Sequence, residues 1–389
     1  MMSFTWNIPT KILFGAGKLG ELHKEAPLGK KALIVISNGR STKTNGSLDK
    51  LQEELKAWGA DFVVFNKIQA NPLEPTIQEG VEFGRENGCD FVVGLGGGSV
   101  LDSGKVIAAM IPQKEGRVWD YVIFGTGGKK PFTAPSLPYI AITTSAGTGS
   151  EVDAGAVVTN PATNEKTAFF RDFPTLAIVD PNYMLTVPKH FTAYQGFDAF
   201  FHNAEGYISK GCNEAAAMVE LEAIRLLAKY LPVAVNEGSN LEARTKVAFA
   251  NTLGGFSMDL GTCTAEHSLE HALSAYHQEL PHGAGLIMIS VAYFSHFVEK
   301  HACDDRFIDM ARAMGKADAN KASDFIDALI ELQKVCGVDN LKMSDYGIKP
   351  EEFPKMVQNT RDAMGFLLQF DPVELSDEDM LNIYKKSYR

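Results

Sequence analysis

The sequence predicts an α/β fold class, with a parallel-sheet domain in the first half of the chain and an all-helical domain in the second. Two observations carry this prediction. Up to about residue 144, short apolar runs rich in β-branched residues alternate with helical spacing, which is typical of a parallel sheet covered on both faces. Beyond Val187 strand signals almost vanish and helical segments follow one another. We therefore predict domains at residues 1–185 and 186–389.

The individual elements follow from periodicity and from helix stop signals. The run KALIVI at 31–36 is nearly continuously apolar, which is typical of a strand buried on both faces. A polar turn at 160–165 separates two short β-rich segments and predicts a hairpin. The predicted strands are 9–15, 31–36, 61–65, 90–95, 138–144, 156–159, 167–170 and 176–179, and the predicted helices are 47–58, 75–87, 100–111, 191–209, 213–231, 240–258, 261–277, 284–299, 304–314, 321–336, 350–361 and 376–387.

Composition excludes several classes of function. A chain of 389 residues is long enough for two cores. Its net charge of -11, without a basic stripe, argues against nucleic-acid binding and against binding to anionic membranes. The longest apolar stretch is too short to span a bilayer, and the first residues do not form a secretion signal. Five scattered cysteines without a C-x-x-C pair predict a reduced, cytoplasmic location.

Two loops of small residues predict a nucleotide site. Residues 94–102 (GLGGGSVLD) follow a predicted buried strand and open a helix, whose amino end favours a phosphate. Residues 144–151 (TSAGTGSE) follow the next strand and offer hydroxyls beside backbone amides. Two such loops at the carboxyl ends of parallel strands are where open α/β sheets bind nucleotides. The alternative is a pair of structural turns without a ligand.

The end of the first long strand bears on which nucleotide is bound. NAD-specific sites usually place a carboxylate there for the ribose 2′-hydroxyl, whereas an Arg nearby accommodates a 2′-phosphate. Here Ser37, Asn38 and Gly39 follow the strand without an acid, and Arg40 comes next. We predict that NADP(H) is favoured over NAD(H).

A second set of residues predicts a metal site in the helical half. Asp198 and His202 stand four apart, as do His267 and His271, so each pair lies on one face of a helix. His282 follows further along the chain. Imidazole and carboxylate together suit iron, zinc, cobalt or nickel. Five candidates exceed what a site with an open position takes, so one of them is not a ligand. The alternative is that each is an ordinary core or surface residue.

These stretches together resemble the iron-containing (group III) alcohol dehydrogenases, which include butanol, lactaldehyde and propanediol dehydrogenases. The resemblance implies an N-terminal Rossmann-like domain, a C-terminal all-helical domain and a site in the cleft between them. The matching segments run in order from about residue 9 to about residue 285: PTKILFGAGKLGEL, GLGGGSVLDSGK, SAGTGSEV, GFDAFFHNAEGY, HSLEH and LPHGAG.

The resemblance also implies roles for particular residues. Fe²⁺, replaced by zinc in some members, would be bound by Asp198, His202, His267 and His282. His271 matches a histidine that is not a ligand but lies beside the nicotinamide, and we predict that His271 and Asp102 are catalytic. The predicted cofactor-binding residues are Ser37, Asn38, Gly39, Asn71, Gly97, Gly98, Ser99, Asp102, Thr144, Ser145, Thr148 and Lys166.

The implied reaction is hydride transfer between the nicotinamide and a small primary alcohol or diol, with His271 as the proton relay. The implied assembly is a homodimer or a larger homo-oligomer. Where the family often has Pro-Leu-Gly after its second downstream histidine, this chain has residues 272–274 (ALS), which leaves the substrate open. The alternatives are a dehydroquinate synthase-like or glycerol dehydrogenase-like metalloenzyme of the same build, and a metal- or nucleotide-binding regulator without catalysis.

Overall fold

The structure of the chain, a computed structural model, describes residues 4–389. The described chain forms two compact units. The α/β unit comprises residues 8–145 and 150–186, and the helical unit comprises 146–149 and 187–389 together with the amino-terminal segment up to residue 7. The helical unit therefore includes two stretches, before residue 8 and at 146–149, that the prediction of two contiguous domains assigned to the other half.

The α/β unit contains a six-stranded sheet in the order β1-β8-β5-β4-β2-β3, and each neighbouring pair in it is parallel. The predicted fold class is confirmed, and so is the hairpin, which forms a separate antiparallel pair of β6 and β7. The strands are β1 Lys11–Phe14, β2 Lys31–Ser37, β3 Asp61–Ile68, β4 Phe91–Gly96, β5 Tyr139–Thr143, β6 Gly155–Asn160, β7 Glu165–Phe170 and β8 Leu176–Val179.

The sheet is buried on both faces because alternate residues of its central strands enter two different cores. In β2, Leu33 and Val35 pack with the apolar residues of the helices on one face, whereas Ala32 and Ile34 pack on the other face. This explains why residues 32–36 of the run KALIVI, which are all buried, are apolar without interruption. The helices of this unit are α1 Ser41–Thr44, α2 Ser47–Ala57, α3 Glu74–Glu86 and α4 Gly98–Met110, with 3-10 helices at Lys18–Lys24, Val118–Tyr121 and Pro181–Met184.

Helix α4 is tied to the hairpin by buried charges. The Lys105 ammonium donates to Asp153 Oδ1 at 2.5 Å and to the carbonyl of Gly155. The Asp102 carboxylate accepts the Ser150 hydroxyl at 2.6 Å and the backbone N–H of Val157 at 2.8 Å. Because these groups are buried, removing one partner would leave a charge unpaired, which costs several kcal/mol (about 3–5).

The helical unit packs its helices around aromatic side chains. Phe200, Phe201, Phe294 and Phe325 are all fully buried, and each ring contacts another of the set with centroids 5.3–6.3 Å apart. The helices are α5 Lys189–Ile208, α6 Glu214–Asn236, α7 Leu241–Leu260, α8 Ala265–Tyr276, α9 His282–Glu299, α10 Asp304–Ala313, α11 Ser323–Cys336, α12 Phe353–Met364 and α13 Asp377–Ser387, with 3-10 helices at Met343–Tyr346, Pro350–Glu352 and Gly365–Phe370.

Among the helix boundaries that differ from the prediction, three have identifiable reasons. Helix α6 continues through Pro232 to Asn236, although a proline inside a helix usually ends it. Helix α8 begins at Ala265 rather than at 261, because Thr262 has φ of 88°, a left-handed value that breaks the helical path. Helix α9 begins at His282, directly after Pro281, which places that imidazole on its first turn.

Two further expectations concern the cysteines and the membrane. The five cysteines are free thiols, and the predicted cytoplasmic location stays a prediction. Within residues 4–389, none of the helices combines the length and the apolar character that crossing a bilayer requires.

Glu220 on α6 gives a testable pH dependence of stability. The side chain is fully buried, accepts the Ser257 hydroxyl at 2.8 Å, and burial raises its pKa from an ordinary value of 4.5 to about 7. Its protonated form is therefore favoured in the fold. The contribution of protonated Glu220 to the free energy of unfolding is fully present below about pH 4.5. About 3 kcal/mol of it is lost as the pH rises through about 7.

We expect Glu220→Gln to remove this loss, because an amide cannot ionise. Urea unfolding of the wild type and of Glu220→Gln at about pH 5 and about pH 8 measures it. The difference in unfolding free energy, variant minus wild type, should be more positive at about pH 8 than at about pH 5, by on the order of 2–3 kcal/mol. A difference that does not change with pH would contradict the raised pKa.

Candidate functional site

One face of α5 carries a line of polar side chains through an otherwise apolar helix. Asp198, His202 and Glu205 stand at spacings of four and three residues, so they follow one another along that face. Phe197, Phe200 and Phe201 of the same helix are fully buried. All three polar side chains are also buried, and buried polar groups require partners.

Helices α8 and α9 supply the other candidates. His267 and His271 lie one turn apart on α8 and are buried, and His282 is the first residue of α9. Helix α8 is held in place by hydrogen bonds from other parts of the helical unit. Tyr384 donates to the carbonyl of Leu269 at 2.7 Å, and the Ser268 hydroxyl donates to the carbonyl of Met364 at 3.1 Å.

The structure brings the four predicted metal ligands together around Asp198 Oδ1. The Nε2 atoms of His267 and His282 each lie 3.5 Å from it, and His202 Nδ1 lies 3.7 Å away. Ligand bonds of 2.0–2.2 Å to one metal ion put neighbouring ligand atoms about 3–3.5 Å apart. Asp198 Oδ1 and His267 Nε2 are both buried without a hydrogen-bond partner. The donor set and its spacing therefore fit a divalent transition metal.

The electrostatics of the cluster also favour a cation. Burial by itself would raise the pKa of Asp198, but its interactions with the neighbouring imidazoles of His202 and His282 lower the pKa to about 2, which favours the ionised carboxylate. Burial lowers the pKa of His202, which keeps that imidazole neutral and able to bind a metal. For His267, burial opposes the charged form, yet the Glu205 carboxylate raises its pKa well above the ordinary value.

His271 lies beside this cluster. Its ring centroid is 5.3 Å from that of His282 and 6.5 Å from that of His267. One of its nitrogens, one nitrogen of His282 and a Glu270 oxygen also form a group of potential ligand atoms that lie within 4.8 Å of one another. The geometry therefore puts an imidazole next to the four predicted ligands, where proton transfer to a bound molecule is possible.

Four neighbours of the cluster were not among the predicted ligands, catalytic residues or cofactor-binding residues. The Glu205 carboxylate accepts from His267 Nδ1 at 2.5 Å, and the Glu270 carboxylate accepts from His282 Nδ1. The Gly147 carbonyl accepts from His202 Nδ1 at 3.2 Å, and the Cys263 thiol lies with His202 and His267 in a second group of potential ligand atoms. Glu205 was recoverable from the sequence, because it continues the helical face of Asp198 and His202. The approach of residue 147 was not.

In the α/β unit, the strand order agrees with the predicted position of the nucleotide site. The chain passes from β2 to β3 on one side and then returns to place β4 on the other side of β2. The carboxyl ends of β2 and β4 therefore flank the point where the order reverses, which is where open α/β sheets bind their ligands. Ser37 ends β2, with Asn38 and Gly39 exposed just after it, and Gly96 ends β4.

The glycine loop after β4 opens helix α4 directly. Gly97 is the residue before the helix, Gly98 its first residue and Ser99 its second. A Cβ on Gly97 would lie 3.2 Å from the Ser145 Oγ, so the two predicted loops are neighbours. Thr144 donates its N–H to the Gly96 carbonyl at 2.9 Å. The amide groups at the start of α4 can therefore meet a phosphate.

The second loop has another purpose as well. Thr148 lies in segment 146–149, which belongs to the helical unit. A Cβ on Gly147 would lie 3.0 Å from Asp198 Oδ2, and one on Gly149, which has φ of +64°, would lie 2.4 Å from the backbone nitrogen of Gly255. The glycines of this segment thus permit close packing on α5 and α7, a function that the prediction of a phosphate loop did not include.

The other predicted cofactor residues are buried in the α/β unit. Asn71 follows β3 with a left-handed φ of 51°, and Lys166 lies within β7. Asp102 uses both carboxylate oxygens to hold the hairpin, and burial raises its pKa despite the opposing charges of Lys105 and Lys166. The roles assigned to these residues, and the catalytic role of Asp102, stay predictions.

Comparison with known proteins identifies the family. Residues 9–181 match the family model described as iron-containing alcohol dehydrogenase, and residues 192–388 match that of the C-terminal domain of the Fe-containing alcohol dehydrogenase family. The chain is 31% identical over 397 residues to 1,3-propanediol dehydrogenase of Citrobacter freundii, covering 99% of each protein. It is 33% identical over 399 residues to a probable NADH-dependent butanol dehydrogenase of Bacillus subtilis, covering 100% of each.

Solved structures agree with this relationship. An alcohol dehydrogenase from an archaeal halo-thermophilic Red Sea brine pool source is 34% identical, with a TM-score of 0.93 over 100% of this chain and 99% of that one. The NADH-dependent butanol dehydrogenase A of Thermotoga maritima is 28% identical, with a TM-score of 0.88 over 100% of this chain and 99% of that one. Together with the geometry of the two sites, these matches establish that the chain belongs to the iron-containing alcohol dehydrogenase family.

Proposed function

We propose that this alcohol dehydrogenase transfers hydride between NADP(H) and a small primary alcohol or diol, at a divalent metal bound by Asp198, His202, His267 and His282. The observation that carries the proposal is the convergence of three imidazoles on one buried carboxylate oxygen, with separations of 3.5–3.7 Å. The relatives named propanediol and butanol dehydrogenases support the substrate class. Iron is the metal named by the family, and zinc suits the same donors.

Different residues of the chain have different roles in the proposed reaction. When bound, the metal supplies a Lewis acid that lowers the pKa of the alcohol hydroxyl. His271, beside the ligand cluster, takes the hydroxyl proton, while hydride passes from the carbinol carbon to C4 of the nicotinamide. The amide groups of Gly98 and Ser99 hold the pyrophosphate at the amino end of α4. The products are the aldehyde, the reduced nucleotide and a proton.

The basic experiment follows NADPH oxidation with a panel of short aldehydes, using protein purified without oxygen and analysed for metal. We expect reduction of small aldehydes to require bound metal. A metalloenzyme of the same build that does not perform net redox chemistry would leave the NADPH absorbance unchanged.

The assembly is also a proposal. We propose a homodimer or larger homo-oligomer, and Phe4, Trp6 and Phe249, whose large side chains are exposed in the helical unit, are apolar surface that a second copy could cover. Light scattering on the purified protein measures the mass in solution. A mass of 42.4 kDa, that of one chain, would contradict the proposal.

His267 and His271 form a matched pair, one turn apart on α8, that separates metal binding from proton transfer. We expect His267→Ala to lose both metal and activity, because a metal ligand is removed. We expect His271→Ala to retain its metal and to lose about 10²–10⁴-fold in kcat, the usual contribution of a positioned acid or base. Metal content per chain and kcat on the same preparations are the measurements. Equal loss of metal in both variants would refute the role given to His271.

Gly39 tests the preference for NADP(H). Its φ is not left-handed, and a Cβ there would meet only the Ser37 Oγ, at 3.4 Å, so a side chain can be added without strain. We expect Gly39→Asp to lower kcat/KM for NADPH roughly tenfold or more relative to NADH, because like charges about 4 Å apart cost about 1–4 kcal/mol.

Asn87→Asp is the control for this variant. It adds the same charge just before β4, at the opposite end of the strands from Gly39. It should leave the NADPH-to-NADH ratio unchanged. A wild-type enzyme that prefers NADH, as the names of several relatives suggest for those proteins, would overturn the nucleotide proposal.

A further inference from the structure

We propose that Glu205 and Glu270 are positioning residues for the metal site, and that Glu205 is itself held by a hydrogen-bonded chain through Thr264 and Tyr293 to Asp371. In this proposal each glutamate orients one ligand histidine from the side opposite the metal. The inference rests on the proposed function, because it assumes that His267 and His282 bind a metal.

Glu205 has both carboxylate oxygens engaged. Its Oε1 accepts from His267 Nδ1 at 2.5 Å, and its Oε2 accepts the backbone N–H of Thr264 at 2.6 Å and the Thr264 hydroxyl at 2.9 Å. The carboxylate is fully buried, so it cannot exchange these partners for water. With Nδ1–H directed at Glu205, the lone pair of His267 is on Nε2. That atom is buried without a hydrogen-bond partner and lies 3.5 Å from Asp198 Oδ1.

The series of hydrogen bonds continues beyond Thr264 to the carboxyl-terminal part of the helical unit. The Thr264 and Tyr293 hydroxyls lie 2.7 Å apart, and the Tyr293 hydroxyl lies 2.6 Å from Asp371 Oδ1. Asp371 Oδ1 also accepts the N–H of Ala265, the first residue of α8, at 3.1 Å. Asp371 thus accepts a hydrogen bond from the start of helix α8, and it is also the far end of the series of hydrogen bonds that leads to Glu205.

Both ends of this hydrogen-bonded network have hydroxyl donors. Thr264 donates its hydroxyl to Glu205 Oε2, and Tyr293 donates its hydroxyl to Asp371 Oδ1. All four residues are buried, so these groups do not exchange their partners for water. The network therefore holds Glu205 in one orientation behind His267.

Glu270 has the equivalent position behind His282. It is fully buried on α8 and accepts from His282 Nδ1, which leaves Nε2 of that imidazole directed at Asp198. A Cβ on Gly285, one turn into α9, would lie 2.7 Å from Glu270 Cγ, so the missing side chain there gives the glutamate its place. The third histidine, His202, has a carbonyl oxygen as its Nδ1 acceptor, without a negative charge.

Such partners tune metal affinity. A carboxylate behind an imidazole fixes its tautomer and raises its basicity, and loss of the carboxylate typically costs 10–100-fold, approximately, in metal affinity. Asp198, Glu205 and Glu270 together put three carboxylates in a buried site, which a divalent cation partly neutralises. We therefore expect binding of the cation to weaken when either glutamate becomes an amide.

The test measures Co²⁺ binding to the metal-free full-length chain by competition with a chelator, together with the visible absorption spectrum of the Co²⁺ protein. We expect Glu205→Gln and Glu270→Gln to weaken Co²⁺ binding about 10–100-fold and to shift the visible bands, because the ligand imidazoles are reoriented. Tyr293→Phe, which breaks the chain two bonds away from the histidine, should weaken binding by a smaller factor.

The matched control is Glu220→Gln, which also converts a fully buried glutamate of the helical unit to an amide. Its carboxylate bonds to the Ser257 hydroxyl and the Cys212 thiol. We expect it to bind Co²⁺ like the wild type. If Glu205→Gln does not fold, as judged by circular dichroism, Tyr293→Phe and Glu270→Gln decide the question.

The outcomes separate this inference from the proposed function. Wild-type Co²⁺ affinity and spectra in Glu205→Gln and Glu270→Gln would overturn the inference while the metal site stands. Equal weakening in Glu220→Gln would also overturn it, because the effect would then reflect general destabilisation. A wild-type protein that does not bind Co²⁺, or a His267→Ala variant that binds it as tightly, would instead overturn the metal site itself.

Discussion

The helical unit depends on one electrostatic constraint, the buried carboxylate of Asp198. An ionised carboxylate away from water is unfavourable unless a cation or several donors compensate it. Here the compensation comes from the Nε2 atoms of His267 on α8 and His282 on α9, each 3.5 Å from one oxygen, with His202 of α5 slightly farther away at 3.7 Å. Helices α5, α8 and α9 must therefore pack close together around Asp198, and this restricts how they pack in the rest of the helical unit.

The aromatic core makes this meeting rigid. Helix α5 buries Phe200 and Phe201 against Phe294 of α9 and Phe325 of α11, on sides away from its polar face. Close-packed interiors resist displacement, so the spacing of α5 and α9 at the metal site is determined largely by these rings. Helices held in this way keep the candidate ligands of the proposed metal site close to one another.

The α/β unit follows from a different constraint, the reversal of strand order beside β2. Because β4 lies on the opposite side of β2 from β3, the loops after β2 and β4 diverge and leave room for a ligand at their carboxyl ends. Glycine at the start of α4 lets backbone amides approach that ligand. The buried hydrogen bonds of Lys105 with Asp153 and of Asp102 with the backbone N–H of Val157 then fix α4. The amino end of the helix therefore has a defined position.

The sequence by itself determined the fold class, nearly every strand and helix, and the residue types of both sites. Hydrophobic periodicity is local and survives without knowledge of tertiary contacts, and the four-residue spacings of Asp198 with His202 and of His267 with His271 are properties of single helices. The limits of α6, α8 and α9 were less predictable, because tertiary packing tolerates Pro232 inside a helix and the left-handed Thr262 before one.

The tertiary structure alone decided which residues stand behind the ligands. The contacts of Glu205 with Thr264, of Tyr293 with Asp371 and of Gly147 with His202 join residues 55–78 positions apart in the chain, and no local pattern encodes them. Each depends on how helices and loops pack after they have formed. Periodicity reports which side of an element is buried, whereas the partner of a buried polar group is set by the long-range packing that brings it there.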